Sequence, residues 1–184
     1  FEVPVGFKYF SQLLFDGTIG IGGEESAGAS FLKKDGRVWT TDKDGMIMAL
    51  LGMEIMAVMG KSALKMAGES VEEFGNPKFG RIDAPCKKEQ KQILKQMSAE
   101  LITATTVDGD PITNIRTTSL YNDMPIDGVR VETDKGWFVA RPSGTEDLYK
   151  IYGESYKGDL GLVALLTAGE EIVNAALNGT IEIE

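Results

Sequence analysis

The first 75 residues combine a helical spacing of apolar side chains with short apolar runs separated by glycines. Residues 8–15 place apolar side chains every three or four positions, which predicts a helix that ends at an Asp-Gly pair. Residues 19–23 predict a short strand, and the runs 29–33 and 37–40 flank a second Asp-Gly pair, which is typical of a β-hairpin turn. This part of the chain is therefore predicted to begin with a helix and short strands.

Residues 46–59 are apolar around almost the whole circumference of the predicted helix. Asp44 predicts its N-cap and Gly60 its end. A helix that is apolar all round is normally covered on several sides, so we expect it to be buried between layers. Its methionines indicate core filling rather than a binding groove. A second, amphipathic helix is predicted over residues 62–74.

The pattern changes after residue 75. Residues 75–85 begin with Gly-Asn-Pro and predict a linker, and residues 87–97 predict a short helix. In that helix Lys alternates with Glu and Gln, which favours a face in solvent over an RNA contact. The strands predicted beyond it are residues 101–106, 111–117, 129–133, 137–140 and 149–155, followed by a helix over 160–177.

These elements predict an α/β fold in two domains. Residues 1–75 are expected to be part of a domain with a mixed sheet and helices, and residues 76–100 a linker with a short helix. Residues 101–184 are expected to form a small α+β domain, with four or five antiparallel strands and one or two helices.

Composition excludes several classes of function. The 184 residues carry a net charge of −9, which disfavours nucleic acid as a partner. No apolar run seems to approach the ~20 residues that span a membrane, and the single Cys86 favours a reducing compartment. We therefore expect a cytoplasmic protein without membrane contacts. The chain has no His, which excludes Ser-His-Asp, Cys-His and His-ligated zinc sites.

Residues 141–147 (RPSGTED) contain the groups that bind a phosphate. Arg141 offers a bidentate cation, Ser143 and Thr145 offer hydroxyls, and Gly144 leaves backbone N–H groups uncovered. Lys150 follows as a second cation. A polar hairpin turn is the alternative, and the two flanking cations favour phosphate binding.

A second cluster follows the strand predicted at residues 19–23. Glu24, Glu25 and Ser26 lie between glycines, where they could bind sugar hydroxyls or simply begin a turn. Lys43 lies at the start of a helix, where a cation opposes the helix dipole, which hints at a functional role beside that of an exposed ion pair.

Asp108-Gly109-Asp110 looks like a metal loop, but Pro111 and Ile112 follow it instead of further carboxylates. We therefore predict a turn there and no metal site in the chain.

Five segments together resemble a known family. They are GGEESAGASFL (22–32), TTDKDG (40–45), DGDPIT (108–113), GWFVARPSGTED (136–147) and YKIYGES (149–155). They resemble the α-D-phosphohexomutases, and most of all the glucose-specific phosphoglucomutases of bacteria. The resemblance implies the end of a third domain and a complete fourth domain of a four-domain protein. The chain also begins at Phe1 without Met or a capping signal, so we expect a fragment.

The resemblance also implies a reaction and its residues. The family interconverts glucose 1-phosphate and glucose 6-phosphate through glucose 1,6-bisphosphate, using a phosphoserine and Mg²⁺ from other domains. It implies that Glu24, Ser26 and Gly6 bind the sugar, and that Lys43 acts as an acid/base or binds substrate. It further implies a clamp for the non-transferring phosphate, formed by Arg141, Ser143, Gly144, Thr145 and Lys150.

The serine and aspartate loops of the family do not occur in this sequence, so the fragment alone is expected to be inactive and to depend on the missing N-terminal domains. Three alternatives stay open: a non-catalytic phosphosugar-binding module, a phosphomannomutase-type relative, and a structural domain whose turns only look like a site.

Overall fold

The computed structural model describes residues 1–24 and 28–179. The chain divides into two compact units, Phe1–Phe74 and Gly75–Glu184.

The first unit joins three helices to a pair of strands. Its elements are α1 (Lys8–Phe15), β1 (Ile21–Glu24), β2 (Gly28–Phe31), α2 (Gly45–Met59) and α3 (Ala63–Phe74). β1 and β2 pair antiparallel, and a small core of Phe7, Leu13, Leu14 and Ile19 lies beneath α1. The expected mixed sheet is thus an antiparallel pair among the residues described for this unit.

The hairpin predicted around Asp35-Gly36 forms only in part. Gly36 has a φ of +80°, and the N–H of Lys33 donates to the carbonyl of Arg37 at 2.8 Å. The returning arm makes a single bridge, Leu32 to Val38, instead of a strand.

Helix α2 begins and ends where predicted, but its burial differs from the prediction. The Asp44 carboxylate accepts hydrogen bonds from the N–H groups of Met46 and Ile47, and Gly60 ends the helix at a φ of +63°. The prediction that α2 is buried between layers is wrong, because none of its residues is buried and Met46 is 82% exposed. Among the residues described for this unit, only α1, α3 and the short β1–β2 pair are available to cover it.

The second unit is a six-stranded antiparallel sheet with helices. Its elements are β3 (Lys78–Pro85), α4 (Lys88–Lys95), a 3₁₀ turn (Ala99–Leu101), β4 (Thr106–Val107), β5 (Asp110–Thr118), β6 (Pro125–Thr133), β7 (Gly136–Pro142), β8 (Leu148–Ser155) and α5 (Gly158–Asn178). The strand order is β3-β8-β7-β6-β5-β4.

The linker predicted to begin at residue 75 is wrong, because its residues Lys78–Pro85 form strand β3. This strand pairs with β8 along its whole length, from Lys78 opposite Ser155 to Pro85 opposite Leu148. Its side chains alternate between an exposed and a half-buried face, with Ile82 on the side of the core. The strand predicted over residues 101–106 is replaced by the 3₁₀ turn and the two-residue β4.

Helix α5 covers one face of this sheet. Leu165, Ile172 and Val173 pack into the same core as Phe138 and Ile151. A Cβ atom on Gly169 would lie 2.7 Å from Cγ2 of Ile151, so only glycine permits the helix to approach β8 this closely.

The expectation that no apolar run approaches a membrane span needs correction. Helix α5 has 21 residues, and an 18-residue stretch of it has a mean hydropathy of 1.5. By length and composition alone it could therefore span a membrane. Helices α2 and α3 qualify together only as a pair bent by 78°. A core helix has the same composition, and α5 packs on the sheet through five buried residues.

Candidate functional site

Two adjacent strands of the second unit deliver the predicted phosphate-binding cations. Arg141 on β7 lies directly opposite Lys150 on β8. The segment between the strands, residues 143–147, is called the β7–β8 loop below. It is closed by a hydrogen bond from the N–H of Ser143 to the carbonyl of Leu148 at 2.8 Å.

Ser143 shapes this loop from within. Only 6% of the residue is exposed, and its hydroxyl oxygen accepts from the N–H groups of Thr145 at 3.4 Å and Glu146 at 3.2 Å. The Ser143 hydroxyl also bonds to the Glu146 side chain, and this bond contributes to the lowered pKa of Glu146. Gly144 and Thr145 are exposed, so the tip of the loop is open to a ligand.

An aromatic ring steadies Arg141. The guanidinium carbon of Arg141 lies 5.7 Å from the ring centroid of Tyr152, and that of Arg81 lies 5.9 Å from the same ring. Sequence reasoning missed both Tyr152 and Arg81. The alternation along β8, which puts Tyr152 on the same face as Lys150, was the signal available.

Lys150 already forms an ion pair within the protein. Its ammonium lies 2.7 Å from a carboxylate oxygen of Glu146, within the β7–β8 loop. This hydrogen bond lowers the pKa of Glu146 and raises the pKa of Lys150. A phosphate that binds Lys150 has to share or displace this carboxylate.

Lys91 on α4 reaches the β7–β8 loop from outside it. Its ammonium donates to the carbonyl of Glu146 at 2.5 Å and to the carboxylate of Asp147 at 3.0 Å. Only 15% of the Lys91 side chain is exposed, so the prediction that the lysines of this helix face solvent is wrong at this position. The contact joins residues 55 positions apart, and no local pattern reveals it.

The first unit brings together two of the predicted sugar-site residues. The Lys43 ammonium lies 2.6 Å from a carboxylate oxygen of Glu24, whose side chain is 16% exposed. Gly28 lies opposite Glu24 on β2. A Cβ atom on Gly28 would lie 2.5 Å from Cδ of Lys43, so the lysine side chain crosses the strand where only glycine leaves room.

Two serine hydroxyls, of Ser30 and Ser11, bond to the segment that leads to Lys43. Ser30 is fully buried, donates to the carbonyl of Thr40 at 2.5 Å and accepts from the N–H of Thr40 at 3.2 Å. Ser11 donates to the carbonyl of Thr41 at 2.6 Å. Sequence reasoning missed Ser30, because small hydroxyl residues are common and their burial is set by tertiary contacts.

The remaining predicted sugar-site residues are Gly6 and Ser26. Gly6 has a φ of +127° and directly precedes α1, where its carbonyl accepts from the N–H of Tyr9 at 3.1 Å. Ser26 lies outside the described residues, as does Glu25.

The turn predicted at Asp108-Gly109-Asp110 is confirmed. Asp108 and Gly109 both have positive φ, 53° and 76°, and join β4 to β5. The Lys157 ammonium lies 2.8 Å from a carboxylate oxygen of Asp108 and 3.1 Å from one of Asp110, so the two carboxylates share one cation. Within residues 1–24 and 28–179, no three or more His, Cys, Asp or Glu side chains are grouped to hold a metal ion. The described residues therefore do not fit a Mg²⁺ site.

Two family models match this chain. Residues 1–74 match "Phosphoglucomutase/phosphomannomutase, alpha/beta/alpha domain III", and residues 82–161 match "Phosphoglucomutase/phosphomannomutase, C-terminal domain". The chain belongs to the phosphoglucomutase/phosphomannomutase family.

Individual relatives agree with this assignment. A phosphoglucomutase of Komagataeibacter xylinus is 48% identical over 174 residues, which are 95% of this chain and 31% of the relative. A probable phosphoglucosamine mutase of Pyrococcus abyssi is 26% identical over 158 residues, 86% of this chain and 30% of the relative. The chain thus spans about a third of the length of the curated relatives it matches.

Solved structures show the same fold. One is the open form of pp63/parafusin from Paramecium, with a TM-score of 0.63, 22% identity, and coverage of 97% of this chain and 34% of the other. A phosphoglucomutase/phosphomannomutase family protein from Burkholderia thailandensis has the same TM-score and identity, with coverage of 97% and 33%. The predicted family and α/β fold class are confirmed.

Proposed function

We propose that this chain supplies the sugar- and phosphate-binding part of a phosphoglucomutase. The reaction interconverts glucose 1-phosphate and glucose 6-phosphate through glucose 1,6-bisphosphate. The observation that carries the proposal is the β7–β8 loop, where Arg141 and Lys150 lie opposite each other beside an exposed turn. The 48% identity to a bacterial phosphoglucomutase supports the glucose substrate.

The second unit binds the phosphate that is not transferred. Arg141 and Lys150 supply positive charge, Ser143 and Thr145 supply hydroxyl donors, and Gly144 leaves its backbone N–H accessible. Such a site positions the sugar without taking part in bond making, and phosphoryl transfer depends chiefly on positioning and charge stabilisation.

The first unit binds the sugar ring. Glu24 accepts hydrogen bonds from vicinal hydroxyls, with Ser26 and Gly6 as further contacts. Lys43 lies against Glu24 and acts either as the acid/base or as a substrate ligand. A carboxylate and an ammonium in one ion pair can bind a hydroxyl from both sides, since one accepts and the other donates.

The phosphoserine and Mg²⁺ come from other domains of the same protein. The serine and aspartate loops of the family do not occur in the sequence, and on that ground we propose that the chain by itself is inactive. Mg²⁺ would supply charge stabilisation at the transferring phosphate, while this chain holds the sugar and the opposite phosphate.

The exposed apolar surface of α2 supports a need for further domains. Met46 and Val58 are 82% and 77% exposed on a helix with almost no polar side chain. Exposed apolar surface of this kind indicates a missing partner, and the matched domain is described as alpha/beta/alpha. We therefore infer that the N-terminal part of the same protein covers α2.

The reduced and buried Cys86 is consistent with a cytoplasmic location.

The full-length protein tests this function directly. With glucose 1,6-bisphosphate and Mg²⁺ present, it should convert glucose 1-phosphate to glucose 6-phosphate, and the 184-residue chain should not. Mannose 1-phosphate is the substrate to compare, because the matched family includes phosphomannomutases. A preference for mannose would identify a phosphomannomutase-type enzyme. Binding of phosphosugar without turnover by the full-length protein would identify a non-catalytic module.

A further inference from the structure

Lys91 contacts the β7–β8 loop from a separate element, helix α4. The backbone N–H of Lys91 donates to the carbonyl of Lys87 in the first turn of this helix. Its ammonium is within hydrogen-bond distance of two acceptors at the C-terminal half of the loop, the Glu146 carbonyl and the Asp147 carboxylate.

The two acceptors differ in what they contribute. The side chain of Asp147 is 93% exposed, and ion pairs of that kind add little, because solvent screens them. The Glu146 carbonyl belongs to the backbone of the loop, and a bond from a charged donor to a carbonyl is stronger than a neutral one. The hydrogen bond from Lys91 to this carbonyl, at 2.5 Å, is therefore the one that holds the backbone of the loop in place.

The loop is also held by its own backbone, by Ser143, by the N–H of Cys86 and by the ion pair between Lys150 and Glu146. The Ser143 N–H binds the Leu148 carbonyl, and the next carbonyl inside the loop, on Asp147, accepts from the N–H of Cys86 at 3.0 Å. The carbonyl of Glu146 accepts a side-chain hydrogen bond from Lys91. Loss of Lys91 would therefore free the Glu146 carbonyl, which directly follows Gly144 and Thr145, while the Asp147 carbonyl stays bonded to Cys86.

We propose that Lys91 is a positioning residue for the phosphate site. It holds the Glu146 carbonyl so that the open tip of the β7–β8 loop keeps the shape that binds a phosphate, and it does not touch the ligand itself. This inference rests on the proposed function, because it assigns Lys91 to the same site.

Kinetics of the full-length enzyme test the inference. Lys91→Met should raise KM for glucose 1-phosphate about five- to tenfold, the loss expected for one ordinary hydrogen bond because Lys91 acts on the ligand only through the loop, with kcat changed less than about twofold. Lys91→Arg should restore most of the affinity, since it keeps a cationic donor. Lys88→Met is the matched control, because Lys88 is an exposed lysine of the same helix, and its KM should stay at the wild-type value. Thermal midpoints are measured for every variant, and Lys91→Gln replaces Lys91→Met if that variant does not fold.

The outcomes separate this inference from the proposed function. If Arg141→Ala raises KM but Lys91→Met behaves like Lys88→Met, the positioning role is overturned and the function stands. If neither Arg141→Ala nor Lys91→Met changes KM, both the phosphate site and the inference are overturned. If Lys91→Met lowers kcat and the thermal midpoint with KM unchanged, Lys91 stabilises the fold only and the inference is again overturned.

Discussion

The ammonium of Lys150 lies 2.7 Å from the carboxylate of Glu146, four residues before it in the chain. The predicted phosphate ligand is thus paired with a carboxylate of its own loop. A phosphate that bound Lys150 would compete with that carboxylate for the positive charge of the ammonium.

Glu146→Gln should tighten phosphate binding. Removal of the competing charge should lower KM for glucose 1-phosphate about two- to fivefold, the range of one exposed ion pair. Glu89→Gln, on the exposed side of α4, removes the same charge away from the loop and serves as the control. A higher KM in Glu146→Gln would show that the carboxylate supports the ligand instead of competing with it.

Arg141→Ala should weaken binding of substrate much more strongly. The variant loses a bidentate cation, and KM for glucose 1-phosphate should rise by about tenfold or more. Arg37→Ala is the control, since Arg37 is an arginine whose side chain is 76% exposed and pairs only locally with Asp35. An unchanged KM in Arg141→Ala would remove Arg141 from the phosphate site.

Lys43→Met should lower kcat by about a hundredfold if Lys43 transfers a proton, because general acid/base groups contribute about that much. The assay is steady-state turnover of glucose 1-phosphate at saturating substrate. A wild-type kcat with a raised KM would reassign Lys43 to substrate binding, and two unchanged constants would make it a surface ion pair with Glu24.

Gly28→Ala should impair catalysis through Lys43. The added methyl group would lie 2.5 Å from Cδ of Lys43, so the lysine side chain must move away from Glu24. We expect kcat to fall in the same direction as in Lys43→Met, by about tenfold. Gly20→Ala has open space around its Cβ position and should retain wild-type turnover.

Glu132 should make the stability of the second unit depend on pH. Burial alone raises the pKa of Glu132, but hydrogen bonds from Arg130 and Arg116 lower it below the ordinary value of 4.5. A group with a lowered folded pKa stabilises the fold above its unfolded pKa, and that stabilisation is lost as pH falls through the folded pKa.

Glu132→Gln should therefore be less stable than the wild type by about 1–3 kcal/mol at pH 7. The difference should shrink as the pH falls below about 4.5. Chemical denaturation of both proteins at pH 7 and pH 3.5 measures it, with Glu154→Gln as a control on the same face of the sheet. A difference that stays constant with pH would mean that the charge of Glu132 is not what stabilises the fold.

Local chemistry made part of this structure predictable. The cap at Asp44 and the glycine at the end of α2 depend only on neighbouring residues, and both form as expected. The same holds for the turn at Asp108-Gly109 and for the position of Arg141 at the end of a strand.

Long-range contacts explain what sequence reasoning missed. A Gly-Asn-Pro start is typical of a loop and predicts a linker where β3 forms, because the partner strand β8 lies about seventy residues later in the sequence. Lys91 and Ser30 look like ordinary surface residues until the fold buries them. Helix α2 has the composition of a core helix, although none of its residues is buried.

The register of β7 and β8 has one more consequence. Arg141 and Lys150 face each other across a hydrogen-bonded pair of strands, so the sheet itself sets the gap between the two cations. A phosphate bound between them would therefore meet two cations at a spacing fixed by strand pairing within the second unit. Affinity for bare inorganic phosphate should then be a property of that unit alone, and only affinity for the whole sugar phosphate should depend on the rest of the protein.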